Sequence, residues 1–146
     1  MALSQAEATT LGELEAIARQ FVDSLRPGMR VGLLGQLGAG KSTFVKYVAR
    51  ALGVTQEVLS PTYLYHQEYA GKLPSGEKIT LHHLDLYRLR SAADLSALDL
   101  RVEDPQGVVC IEWVDHVPEL QRQVDVCIRM SVLNEHRLLR FDWRAT

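Results

Sequence analysis

Two cysteines in 146 residues are too few for a disulfide-stapled scaffold. Cys110 and Cys127 lie in separate apolar, strand-like runs and form no C-x-x-C. Both are expected as buried thiols in a reducing cytoplasm. No apolar stretch approaches the ~20 residues of a membrane span, and the N-terminus shows no basic-then-apolar leader pattern. A surplus of basic charge is also missing. Lys+Arg 16 against Asp+Glu 18 gives a net charge of −2, so no global positive field marks a nucleic-acid binder. Repeats, low-complexity tracts and a domain-sized linker are absent. What is present is 47% hydrophobic and 23% charged, the usage of a soluble globular chain. The length fits a single domain, residues 1–146, with room for a sizeable core.

The patterning alternates helix and strand. Thr10-Leu11-Gly12-Glu13 reads as a capping box. Leu14, Ala18, Phe21 and Leu25 then fall on one helical face, which Pro27-Gly28 ends. Val31 to Leu34 reads as a buried strand, and Thr43 to Leu52 as a helix closed by Gly53. Pro61 biases Ser60 to Tyr63 toward an extended turn. Tyr63–Tyr69 and Ile79–Asp85 are strand-like around turn signals at Lys72–Glu77, the pattern of an antiparallel hairpin. Ser91–Leu100 reads as helical, and Val108–Ile111 as a central buried strand. Val124–Leu133 and Arg137–Trp143 form a second hairpin turning near Asn134-Glu135. The expected fold is α/β, of the three-layer P-loop NTPase type, with a central mixed sheet and antiparallel hairpins.

Between the first strand and the second helix runs Gly35-Gln36-Leu37-Gly38-Ala39-Gly40-Lys41-Ser42, a match to G-x-x-x-x-G-K-[ST]. Glycines there let the backbone wrap phosphate oxygens. Amide N–H groups of the loop and of the helix start, Thr43 included, point at the anion, and the helix dipole favours it. Lys41 supplies a point charge for the β- and γ-phosphates. The Ser42 hydroxyl is placed to ligate Mg²⁺. The expected ligand is therefore Mg²⁺-ATP, favoured over GTP because no N-K-x-D segment is present to read guanine.

A nucleotide hydrolase also needs carboxylates beside the metal. Glu112 ends the apolar strand Val108–Ile111, and Asp85 ends another, where α/β sheets open their ligand crevice. Thr62 after Pro61 is a candidate switch residue for Mg²⁺ and γ-phosphate. His82 and His83 look like a metal pair, but adjacent strand residues point to opposite faces, so one chelate from the two is not expected. Tyr87 and Trp113 read by default as core aromatics.

Four segments then fall together: GQLGAGKSTF at Gly35–Phe44, SPTY at Ser60–Tyr63, HLDLYR at His83–Arg88 and EW at Glu112-Trp113. In order and spacing the chain resembles the TsaE (YjeE) family over nearly its whole length. That family is the small ATPase of bacterial threonylcarbamoyladenosine synthesis at position 37 of tRNA. The resemblance implies that residues Gly35 to Ser42 bind ATP phosphates, that Ser42 and Glu112 hold Mg²⁺, and that Asp85 is the acid needed for hydrolysis. It places Thr62 in a switch-like loop, and Glu7 and Arg137 near the nucleotide. It also implies two protein partners of a shared fold, one of which performs the transfer, with ATP hydrolysis resetting the complex and tRNA engaged indirectly. Two positions depart from the family's usual pattern: Gln36 stands where Asp is usual, and Ser42 where Thr is usual. Two other functions share the phosphate loop. A small-molecule kinase would form phosphorylated products, and the loop at Lys72–Glu77, without arginine, makes a poor lid for one. A non-hydrolysing ATP sensor would bind without turnover.

Overall fold

The computed structural model describes residues 2–58, 65–98 and 100–144. Among the described residues, seven strands form one mixed sheet, joined by four α-helices and a short 3-10 turn. In chain order these are β1 (Gln5–Ala8), α1 (Leu11–Val22), β2 (Arg30–Leu34), α2 (Lys41–Ala51), β3 (His66–Lys72), β4 (Lys78–Asp85), α3 (Ala92–Ala97), β5 (Gly107–Glu112), the 3-10 turn Val114–His116, α4 (Pro118–Gln121), β6 (Val126–Leu133) and β7 (His136–Trp143). The sheet order is β1-β7-β6-β2-β5-β4-β3. β2 runs parallel to both β5 and β6, and β4 runs parallel to β5. The flanking strands β1, β3 and β7 are antiparallel to their neighbours. The parallel centre with antiparallel additions is as the patterning predicts.

β5 is buried at every position, as a central strand covered on both faces must be. One face is packed by α1 and α2, whose apolar stripes include Leu14, Phe21, Phe44 and Val48. On the other, Val114, Val117 and Leu120 from the 3-10 turn and α4 cover Val109, Ile111 and Leu84. Gly32 in β2 faces this second layer, where an added Cβ would stand 2.8 Å from Val114 Cγ1. The glycine in the strand is therefore a close-packing requirement.

Thr10 caps α1 by accepting the Glu13 amide at 3.1 Å. The return half of the predicted capping box lands one residue early: the Glu13 carboxylate accepts the Thr9 amide and hydroxyl at 3.1 and 2.8 Å. The β6–β7 hairpin turns through Asn134 and Glu135, both left-handed at φ 51° and 67°, the backbone that matches strand twist in a two-residue loop. Three elements were not anticipated: β1, the 3-10 turn and α4. Each spans only three or four residues, too few for a periodic apolar signal. α3 ends at Ala97 rather than Leu100, and β3 spans His66–Lys72, the expected start at Tyr63 lying outside the described residues. The Ser60–Tyr63 segment, with Thr62, lies outside the described residues. No helix among the described residues is long and apolar enough to cross a membrane.

Candidate functional site

The loop Gly35–Gly40 leaves the C-terminal end of β2, flanked by parallel strands on both sides, and enters α2. Gly35 passes so close to β6 that a Cβ there would sit 2.5 Å from the Met130 carbonyl oxygen. Gly40 is the N-cap of α2 in the left-handed conformation, φ 105°, and no side chain caps the helix. The first-turn amides and the positive end of the helix dipole therefore face the cleft in front of the loop. That cleft, about 410 Å³, is walled by Leu37, Gly38 and Gly40–Thr43 on one side and by Asp85, Glu112 and Trp113 on the other, with Arg137 at its rim.

Lys41 is buried. Its ammonium donates to the carbonyl oxygens of Gly35 and, at 3.2 Å, Gln36. It also lies 3.9 Å from the Trp113 ring centroid, a cation–π contact. Burial lowers its pKa from the ordinary lysine value, while Glu112, Asp85 and Asp115 oppose that shift. The carboxylates thus help keep the ammonium charged.

Ser42 donates its hydroxyl to Glu112 Oε2 at 2.7 Å. The same oxygen receives His83 Nε2 from the facing strand β4. Glu112 is buried, and His83 wholly so. The other ring nitrogen of His83, Nδ1, is buried without a partner among the described residues. Asp85 stands in register opposite Glu112 on the parallel pair β4–β5. It accepts the Tyr87 amide at 2.9 Å. Burial pushes the Asp85 carboxyl above its ordinary pKa, and Glu112 adds to that, while the Tyr87 amide, His83 and Lys41 pull the other way.

The residues expected at the site are thus distributed as follows. Leu37, Gly38, Gly40, Lys41, Ser42, Thr43, Asp85, Glu112 and Arg137 line one cleft. Gly35, Gln36 and Ala39 line a neighbouring groove with Met130, Ser131 and Val132. Arg137 also donates to the Ala39 carbonyl at 3.3 Å. Glu7 lines neither; it sits on β1 and pairs with His136. Thr62 is outside the described residues.

Four further residues line the cleft that pattern reading did not place there, Tyr65, Tyr87, Arg88 and Trp113, and a fifth, His83, stands buried behind Glu112. Tyr87 is not core. It is 46% exposed, and its ring meets Trp113 at a 5.0 Å centroid distance, tilted by 53°. For His83 a signal was available, since it is two residues before Asp85 in a strand and so shares its face. The donors around Ser42 are oxygens (one hydroxyl and two carboxylates), a set that suits a hard cation such as Mg²⁺.

The chain matches a family model over residues 8–139, described as threonylcarbamoyl adenosine biosynthesis protein TsaE. A protein of Synechocystis called tRNA threonylcarbamoyladenosine biosynthesis protein TsaE is 37% identical, across 72% of this chain and 66% of that one. One of Treponema pallidum with the same name is 38% identical, across 82% of this chain and 93% of the relative. Among solved structures, the crystal structure of Bacillus subtilis YdiB superimposes with a TM-score of 0.71 at 26% identity, covering 99% of this chain and 88% of that one.

Proposed function

The chain belongs to the TsaE family, and we propose that it is a Mg²⁺-dependent ATPase of P-loop NTPase type serving threonylcarbamoyladenosine formation at position 37 of tRNA. The reading is carried by one contact, the 2.7 Å hydrogen bond from Ser42 to Glu112. It joins the hydroxyl that follows the phosphate-loop lysine to the acid that ends the neighbouring strand, the pair a nucleotide-bound Mg²⁺ needs.

In this reading the α2 amides and Lys41 hold the phosphates, and Ser42 and Glu112 hold Mg²⁺. When bound there, Mg²⁺ would supply charge neutralisation for phosphate transfer to water. His83 keeps the Glu112 carboxylate oriented by its bond to Oε2. Asp85, whose raised pKa suits a proton acceptor, orients the water that attacks the γ-phosphorus. The bond to the β–γ bridging oxygen breaks, giving ADP and phosphate. Trp113 and Tyr87 form the aromatic wall that limits bulk water. The work is done in the cytoplasm with two protein partners, and hydrolysis resets the modification complex rather than driving the transfer.

The test is reconstitution with two partner proteins of the transfer complex and tRNA. Free phosphate and modified adenosine are scored together. We expect slow phosphate release by the chain alone, faster release with partners, and multiple turnover of tRNA only when ATP is hydrolysed. Lys41→Ala should abolish both signals. Phosphorylated small molecules in place of free phosphate would make the chain a kinase, and binding without turnover would make it a sensor; either result overturns the proposal.

A further inference from the structure

On the sheet face opposite the phosphate loop, β3 and β4 bring together side chains that the nucleotide site does not use. His66 and Glu68 are two apart on edge strand β3, so they share a face. His82 on β4 lies directly across from Glu68 in the antiparallel register. Its neighbour His83 points through to Glu112, so His82 faces the other way. His66 Nε2 and His82 Nδ1 are 2.8 Å apart, and Glu68 Oε1 stands 3.7 Å from each. Donor atoms bound to zinc at about 2.0–2.2 Å in a tetrahedron stand about 3.3–3.5 Å from one another. The separations seen here bracket that spacing.

The second ring nitrogen of His82 adds an independent observation. Nε2 lies 2.7 Å from Asp104 Oδ2. As donor to that carboxylate it carries the proton, which leaves the Nδ1 lone pair facing His66 and Glu68. A carboxylate behind a histidine is the arrangement that fixes tautomer and ring orientation at metal centres. The other oxygen of Asp104, Oδ1, accepts the Gln106 amide at 3.0 Å and lies 3.8 Å from Arg101. His82 is 1% exposed and so cannot swing away, whereas the Glu68 side chain is 55% exposed and leaves a fourth position open to water.

We propose that His66, His82 and Glu68 form a binding site for a divalent transition cation of the zinc class, with Asp104 orienting His82. Two imidazoles and one carboxylate select such an ion over Mg²⁺ or Ca²⁺, which prefer all-oxygen shells. The ion ties the edge strand β3 to β4, on the strand whose next residue is His83 of the nucleotide site. The reading does not depend on what the cleft binds.

The test uses the full chain stripped with a chelator and titrated with Zn²⁺ by calorimetry, and with Co²⁺ for its visible absorption. One equivalent should bind, raise the melting temperature and give the absorption of tetrahedral cobalt. His66→Asn and Glu68→Gln alter partly exposed positions of an edge strand, so both should fold. Each should weaken Zn²⁺ by at least about tenfold while Mg²⁺-ATP affinity stays unchanged, and Asp104→Asn by about tenfold. Equal Zn²⁺ affinity in wild type and His66→Asn overturns the proposal. So does binding that is lost in Glu112→Gln but kept in His66→Asn, which would put the ion in the nucleotide cleft.

Discussion

Asp85 and Glu112 end two parallel strands in register opposite each other, yet only Glu112 hydrogen-bonds Ser42. Asp85 turns instead to the backbone amide of Tyr87. Two acids of similar chemistry at matching strand ends therefore take separate roles. Glu112 sits against the helix that carries Ser42. Asp85 lines the same cleft and is only partly buried.

Glu112→Gln keeps size and an acceptor for Ser42 but removes the charge. Turnover should fall on the order of a hundredfold and the Mg²⁺ requirement should shift to higher concentration, while metal-free nucleotide binding persists. Phosphate release measured across a Mg²⁺ titration checks this. An unchanged Mg²⁺ response would assign the metal to Asp85.

Trp113 lies under the Lys41 ammonium at 3.9 Å. A phosphate that draws Lys41 away changes the environment of that ring, so intrinsic fluorescence should respond to Mg²⁺-ATP. Trp143 donates its indole N–H to the Leu3 carbonyl at 2.6 Å and packs on Phe21 at 6.1 Å. It should stay silent. Retention of the nucleotide signal in Trp113→Phe would remove Lys41 and Trp113 from the binding event.

Burial holds the Asp85 carboxyl above the ordinary carboxylate pKa. The folded chain then binds more protons than the unfolded chain between the ordinary value and the raised one. Stability falls as pH rises through that window. Asp85→Asn keeps an acceptor for Tyr87 and removes the buried charge. Its melting temperature should exceed wild type at neutral pH and lose the wild-type decline through the window, while ATP hydrolysis collapses. Thermal unfolding without nucleotide, followed from acid to neutral pH, checks the sign.

Gln36 uses its carbonyl oxygen, not its side chain, to contact Lys41, and it lines the groove beside Met130–Val132 rather than the main cleft. Gln36→Asp should therefore leave ATP affinity within about tenfold, ~1.4 kcal/mol. Any larger change should appear in partner-stimulated turnover, since an acid at this position acts on what lies beyond the loop. Abolished ATP binding in a calorimetric titration would contradict this placement.

Much of this was legible along the chain because it rests on local chemistry. The glycine spacing at 35–40, the cap at Thr10 and the reversal at Asn134-Glu135 each depend on a few consecutive residues, and each falls where expected. The buried strand Val108–Ile111 was readable because a strand covered on both faces has no polar alternate. β1 was not readable, because four residues at a sheet edge are specified by their partner strand β7 rather than by their own pattern. Tyr87 and Trp113 read as core because large aromatics usually are, and only the meeting of the ends of β4 and β5 sets them at a cleft.

The sequence by itself determined that a glycine-rich loop sits between a strand and a helix, that acids stand at strand ends, and that the sheet centre is parallel. Those follow from periodicity and spacing, which are properties of neighbours. Tertiary structure alone decided which acid meets Ser42, that His83 supports it, and that His82 turns away to join His66, Glu68 and Asp104. These contacts join residues 14 to 70 positions apart. They are set by strand order and register, which the long-range packing of the core selects and no local pattern encodes.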